Sequence, residues 1–180
     1  MLLKNVRTGF MNVWESRFVN GGKKPTYGVM GLIDPDSEND FALLEAMSNV
    51  AAQKWGAKGE KILETLVKTN SVSYHTHAPA RSDGEEYDFG HGMHYFQASN
   101  KNQPMIIGRY REALTERDGR PYPGCICNVD VDVWAQDKDG KKRINVALMS
   151  IQFWGDGDAI MQSRKPDADA FPMAEDAPDV

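Results

Sequence analysis

Between Cys127 and Trp134 the chain alternates without a break. Cys127, Val129, Val131 and Val133 fall on one side, and Asn128, Asp130, Asp132 and Trp134 on the other. A period of two held over this length describes a strand with one buried and one outward face, and a helix cannot satisfy it. The next apolar run, 144–154, follows across Asp137-Lys138-Asp139-Gly140, where Asp-Gly marks a tight hairpin turn. Strand-forming residues also dominate 10–18 and 27–33, and the Asn20-Gly21-Gly22 turn between them predicts a second hairpin with Lys23 and Lys24 at its tip. Further strand signals lie at 91–98 and 105–107. About five or six strands without βαβ alternation predict a mainly β fold, a small antiparallel barrel or sandwich.

One main helix interrupts this pattern. Ser37 to Asp40 reads as a capping box with Asp in place of the preferred Glu or Gln. Phe41, Leu44, Met47, Ala51 and Trp55 then recur at three- and four-residue spacing, and Gly56 is a natural stop. Ile62, Leu63, Leu66 and Val67 suggest a shorter helical stretch. Residues 70–90 are polar, contain Pro79, Gly84 and Gly90, and have no period. A loop of that length in a small domain is usually functional or disordered.

The 180 residues include 21 Lys or Arg and 26 Asp or Glu, a net charge of −5. That total argues against a nucleic-acid partner until it is divided. Residues 1–155 hold 19 charges of each sign, so the whole excess lies in 156–180, where seven acids meet only Arg164 and Lys165. From Lys165 onward Pro, Asp and Ala dominate, a composition that cannot bury a core. The expected organisation is one domain over 1–160 and a disordered acidic tail over 161–180. In that tail Asp167, Asp169, Phe171, Glu175, Asp176 and Asp179 could dock on a partner protein, or compete as a polyanion for the domain's own basic groove. A plain solubilising tail is the commoner use of such a composition.

The first residues contain no apolar core of a secretory signal, and the longest apolar stretch, 146–151, is far short of the roughly 18 residues of a membrane span. Cys125 and Cys127, two apart on a strand, would hold their Cα atoms about 6.6–7 Å apart on parallel vectors, a poor disulfide geometry. These features point to the cytoplasm, with no membrane partner.

Several residues carry candidate chemistry. Trp134 stands among carboxylates on an outward face, which suits flat stacking on a base, although an indole there can equally pack under a loop. Asp130 and Asp132 could form a metal pair, but no third ligand accompanies them. Basic residues recur beside aromatics: Lys23 and Lys24 before Tyr27, Arg109 and Arg111 around Tyr110, and Lys141, Lys142 and Arg143 in the hairpin below Trp134. Single-stranded nucleic acid needs this pairing, because cations follow the phosphates while rings take the unpaired bases. Charged hairpin tips also keep sheet edges soluble, so any one tip is uninformative. All four histidines lie between His75 and His94, but they match no zinc-site spacing. Walker, nucleophile-elbow and dinucleotide-binding motifs are absent, so neither an enzyme nor a cofactor is predicted.

Taken together, Phe10 and Trp14-Glu15, Gly90-His91 with Phe96 and Ala98, Tyr122-Pro123-Gly124-Cys125, and Ala147 with Ile151-Gln152 and Gly155 resemble a phage-encoded single-stranded DNA-binding family. That family has an OB-fold core and was first catalogued as a domain of unknown function. The resemblance covers nearly all of 6–160. It implies a replication or recombination protein that coats single strands and carries an acidic C-terminal tail for partners. The expected fold is then an OB-fold-like five-stranded antiparallel barrel with an inserted helix and a long loop. The expected function is sequence-tolerant binding and protection of single-stranded DNA, by a monomer or small homo-oligomer.

On this reading Trp134, Tyr27 and one or more of Phe10, Trp14, Tyr95 and Phe96 stack on bases. Lys23, Lys24, Arg109, Arg111, Lys141, Lys142 and Arg143 line the phosphate path. Two other classes compete. One is a metal-dependent enzyme acting on nucleotides or nucleic acid through the histidine cluster with Asp130 or Asp132. The other is a virion or scaffold protein without a ligand.

Overall fold

The computed structural model describes residues 1–18 and 24–160. Lys23 and the tail residues Asp167, Asp169, Phe171, Glu175, Asp176 and Asp179 lie outside the described residues. Among the described residues seven strands form one sheet: β1 (Leu2–Arg17), β2 (Thr26–Ile33), β3 (Tyr74–His75), β4 (His94–Asn100), β5 (Met105–Ile107), β6 (Ile126–Lys138) and β7 (Lys141–Gly155). Two helices, α1 (Glu38–Trp55) and α2 (Gly59–Lys68), sit between β2 and β3.

The sheet order is β3-β4-β2-β1-β6-β7-β5, and an additional pairing of β4 with β7 closes five of the strands into a barrel. Around the ring the order is β1, β2, β4, β7, β6. Numbered by position among the barrel strands alone, this is 1-2-3-5-4, the arrangement of an OB fold. Four of the barrel contacts are antiparallel. The closing one is parallel and short, with Ala98 opposite Val146 and Ser99 opposite Ala147.

Alternation along the strands sets the core. Cys127, Val129, Val131 and Val133 all point inward and are buried, joined by Leu3, Val6, Val29, Ile33, Phe96, Leu148 and Ile151. Gly31 is required where β2 meets that core: a Cβ there would stand 2.2 Å from the Phe96 ring. Cys125 and Cys127 are free thiols with Sγ atoms 3.5 Å apart.

Helix α1 covers one end of the barrel, though not by the stripe expected from spacing. Asp40, Leu43, Met47 and Ala51 are buried, whereas Phe41 and Leu44 are exposed. The face is rotated by about one residue because Asp40 is drawn inward by polar partners. Its carboxylate accepts from the Tyr74 hydroxyl and lies 3.1 Å from Nδ1 of His94. Burial opposes ionisation of Asp40, but bonds from Tyr74, the Asp36 amide and His94 outweigh it and hold the carboxyl below its ordinary range. Ser37 caps the helix by accepting from the Asp40 amide, and the Asp40 side chain reaches back one residue further than a capping box, to the amide of Asp36.

Candidate nucleic-acid interface

The outward side of β2 and β4 is not bare sheet. Met30 and Leu32 of β2 face their partners Gln97 and Tyr95 of β4, and Met30, Leu32 and Tyr95 form an apolar cluster separate from the barrel core. Phe10, Phe89 and Met93 pack onto it. Met93 directly precedes β4, and Phe89 comes from the aperiodic stretch after β3, which folds back across this face through a bridge between Ala80 and Glu86 and a single 3-10 turn, Asp88–Gly90. Gly90 is needed for the close approach, since a Cβ would sit 2.4 Å from Cγ of Pro79.

A line of rings results. Tyr87 and Phe89 are stacked with centroids 5.0 Å apart, and Phe10 meets both edge-on at 5.0 and 5.3 Å. The Arg81 guanidinium lies over Tyr87 at 5.3 Å and pairs with Glu85. On the other side of the cluster His75 stacks on Tyr95, and His77 meets Tyr95 edge-on at 5.6 Å. Burial, with the charges of His77 and Arg143 nearby, lowers the His75 pKa to about 4, so this imidazole is neutral at pH 7. Arg143 thus borders the aromatic face from the β6–β7 hairpin.

The expected site residues divide accordingly. Phe10 and Arg143 belong to this face. Trp134 projects from the outward side of β6, 43% exposed, on the rung with Asn145. Lys141 and Lys142 open β7 at the same hairpin, and Lys142 pairs with Asp137, which also accepts from the indole of Trp55. Lys24 and Tyr27 border the β1–β2 turn, and Tyr27, opposite Asn100, shares its side of β2 with the inward Val29. Trp14 is half-buried against the core, in a cleft with Glu15, Arg17, Glu116 and Tyr122, away from Trp134.

Two expected stacking rings are corrected. Phe96 is wholly buried in the barrel, and Tyr95 is 9% exposed beneath His75 and His77, so neither presents a ring face to a base. Arg109 and Arg111, expected on the phosphate path, stand apart from the hairpin cations. They follow β5, which pairs with the far end of β7, and Arg109 bonds the Trp154 carbonyl there.

Sequence reasoning missed Tyr87, Phe89, Arg81, His75 and His77 as parts of one surface. The only available signal was their density in a stretch without period. As potential metal ligands the histidines diverge: His75 goes to Tyr95, His91 to Glu86, and His94 to Asp40. Among the described residues no group of three His, Cys, Asp or Glu is placed to hold a metal ion.

The whole chain, residues 1–180, matches the model of a family described as Enterobacter phage Enc34, ssDNA-binding protein. A relative from Acyrthosiphon pisum secondary endosymbiont phage 1, putative protein p50, is 36% identical over 162 residues, covering 87% of this chain and 84% of that one. Among solved structures, the single-stranded DNA-binding protein of bacteriophage Enc34 in complex with ssDNA superposes with a TM-score of 0.70 at 19% identity, covering 89% of this chain and 88% of that one. The single-stranded DNA-binding protein gp2.5 of bacteriophage T7 gives 0.55 at 8% identity, covering 93% and 96%. At these identities the two structures bear on the fold.

Proposed function

Because this chain belongs to the family of the Enterobacter phage Enc34 ssDNA-binding protein, we infer that it binds and protects single-stranded DNA during phage DNA replication, recombination or repair. The observation that carries this reading is the aromatic surface on the second and third barrel strands. OB folds bind oligonucleotides on that face, between the loop joining strands one and two and the loop joining strands four and five. Here those loops are the connection between β1 and β2, bordered by Lys24, and the β6–β7 hairpin, with Lys141, Lys142 and Arg143. Phe10, Tyr87, Phe89 and Trp134 offer rings that can take bases of any identity, which makes the binding tolerant of sequence.

Residues 1–160 act as the DNA-binding domain in the host cytoplasm. The acids of 161–180 serve replication or recombination partners and compete with DNA for the basic loops. The single-stranded DNA reading is preferred to the enzyme alternative because the matching family is described by ssDNA binding.

Titration of tryptophan fluorescence with oligo-dT at several salt concentrations tests the reading. Log affinity should fall against log salt with a slope near −0.7 for each phosphate contact. Absence of binding, or binding indifferent to salt, would overturn it.

A further inference from the structure

We propose that a basin at the Gly155 end of β7 is a second nucleotide subsite, so that a bound strand continues beyond the aromatic face and round the barrel. This deepens the single-stranded DNA reading and rests on it. The basin has a volume of about 460 Å³ and is lined by Lys4, Arg109, Arg111, Asn128, Gln152 and Trp154, among others. Its lining holds three cations, several amides and an indole, and no carboxylate.

The floor is rigid. Asn128 donates to Gln152, 3.0 Å, and Gln152 donates to the carbonyl of Gly108, 3.2 Å, so the turn after β5 is tied to the barrel wall. Arg109 is fixed by donating from Nε and Nη2 to the Trp154 carbonyl. Arg111 sits at φ 67°, in the left-handed region, although it is not glycine. Such a conformation is strained for a residue that carries a Cβ, and strained residues cluster at ligand-binding sites. Neither its guanidinium nor the Lys4 ammonium has a hydrogen-bond or acidic partner among the described residues. Glu112, the nearby acid of this turn, is occupied by the Tyr110 amide. Trp154 is 41% exposed at the edge.

Cations converging beside an exposed ring, two of them unpaired, are the chemistry of neighbouring phosphates and one base. Lys142 and Trp154 stand twelve positions apart on β7, about 40 Å at roughly 3.3 Å per residue before twist is allowed for. A strand touching both ends must therefore be longer than one held by the aromatic face alone, yet OB folds accommodate up to about 16 nucleotides.

The test uses the full chain and its Arg109→Ala/Arg111→Ala, Arg111→Ala and Trp154→Ala variants, with poly-dT and an oligo-dT of about 20 nucleotides. The subsite predicts that the double variant binds the oligonucleotide about tenfold more weakly. Its salt slope should be smaller by about 1.4, the loss of two phosphate contacts, and its occluded length on poly-dT should be shorter. Arg111→Ala removes no hydrogen bond seen in the structure, so its smaller loss in slope cannot come from misfolding. Wild-type values of slope and occluded length in the variants would overturn the subsite. Failure of the wild-type chain itself to bind would instead overturn the single-stranded DNA reading, and the subsite with it.

Discussion

The imidazole of His75 lies nearly parallel to the ring of Tyr95, with centroids 4.5 Å apart and planes inclined by 21°. Burial makes protonation of His75 costly, and His77 and Arg143 add to the cost, placing its pKa near 4 against 6.5 for the free group. Above pH 6.5 neither the folded nor the unfolded chain holds this proton, and the stability is full. Between pH 6.5 and about 4 the unfolded chain takes up a proton that the folded chain refuses, so stability falls as pH falls, then levels off. The loss between pH 7 and 4.5 should be about 2–3 kcal/mol. Urea unfolding at the two pH values measures it, and His75→Gln should flatten that part of the profile.

Trp134 and Tyr87 sit on different elements but flank the same proposed strand path. Trp134→Ala and Tyr87→Ala should each weaken oligo-dT binding by about 1–3 kcal/mol with little change in salt slope, because a ring rather than a cation is removed. Fluorescence anisotropy of a labelled oligonucleotide reads both quantities. Unchanged affinity in either variant would remove that ring from the path.

Phe96 should behave in the opposite way. It fills the barrel interior beside Gly31 and Val6, so Phe96→Leu is expected to cost about 1–3 kcal/mol of stability while leaving the affinity of folded protein within about twofold. Gly31→Ala should destabilise by a similar amount, because its Cβ would enter the Phe96 ring. Thermal melts and DNA titration of the same samples separate the two effects.

Asp40 joins α1 to β3 and β4 through Tyr74 and His94. Asp40→Asn removes an ionised acceptor from this buried group and should cost about 2–3 kcal/mol at pH 7. The carboxyl is held below its ordinary range, so its contribution is complete above the unfolded value of 3.8 and is lost as pH falls through the lower folded one. The gap in melting temperature between the variant and the wild type should therefore narrow as pH falls below 3.8.

Much of the barrel is legible in the chain because alternation is a local signal. The inward set Cys127, Val129, Val131 and Val133 follows from period two alone. The same signal is silent at Tyr95 and Phe96, where one residue enters the core and the next lies under a second apolar layer. A strand covered on both faces has no polar side to betray its register. The layer itself, with Tyr87 and Phe89, is placed by the barrel it covers, which is why 70–90 shows no period of its own. Helix α1 shows a third kind of failure: Asp40 is counted as polar, yet Tyr74, 34 residues away, makes it part of the buried face. Arg109 and Arg111 read as cations beside an aromatic, but which end of the barrel they reach depends on β5 pairing with β7, a contact distant in sequence.

The barrel closes through only two rungs, Ala98–Val146 and Ser99–Ala147, and both draw on the last strand of the ring. Until residues near 147 are available, β6 presents an unpaired edge, and β4 one that β3 covers only at Tyr95 and Phe96. Loop closure across some 48 residues must be met in entropy before either rung rewards it. During synthesis the two edges therefore stay open until β7 has left the ribosome, and an early stop between residues 138 and 145 would leave a chain with both edges ready to pair with neighbours.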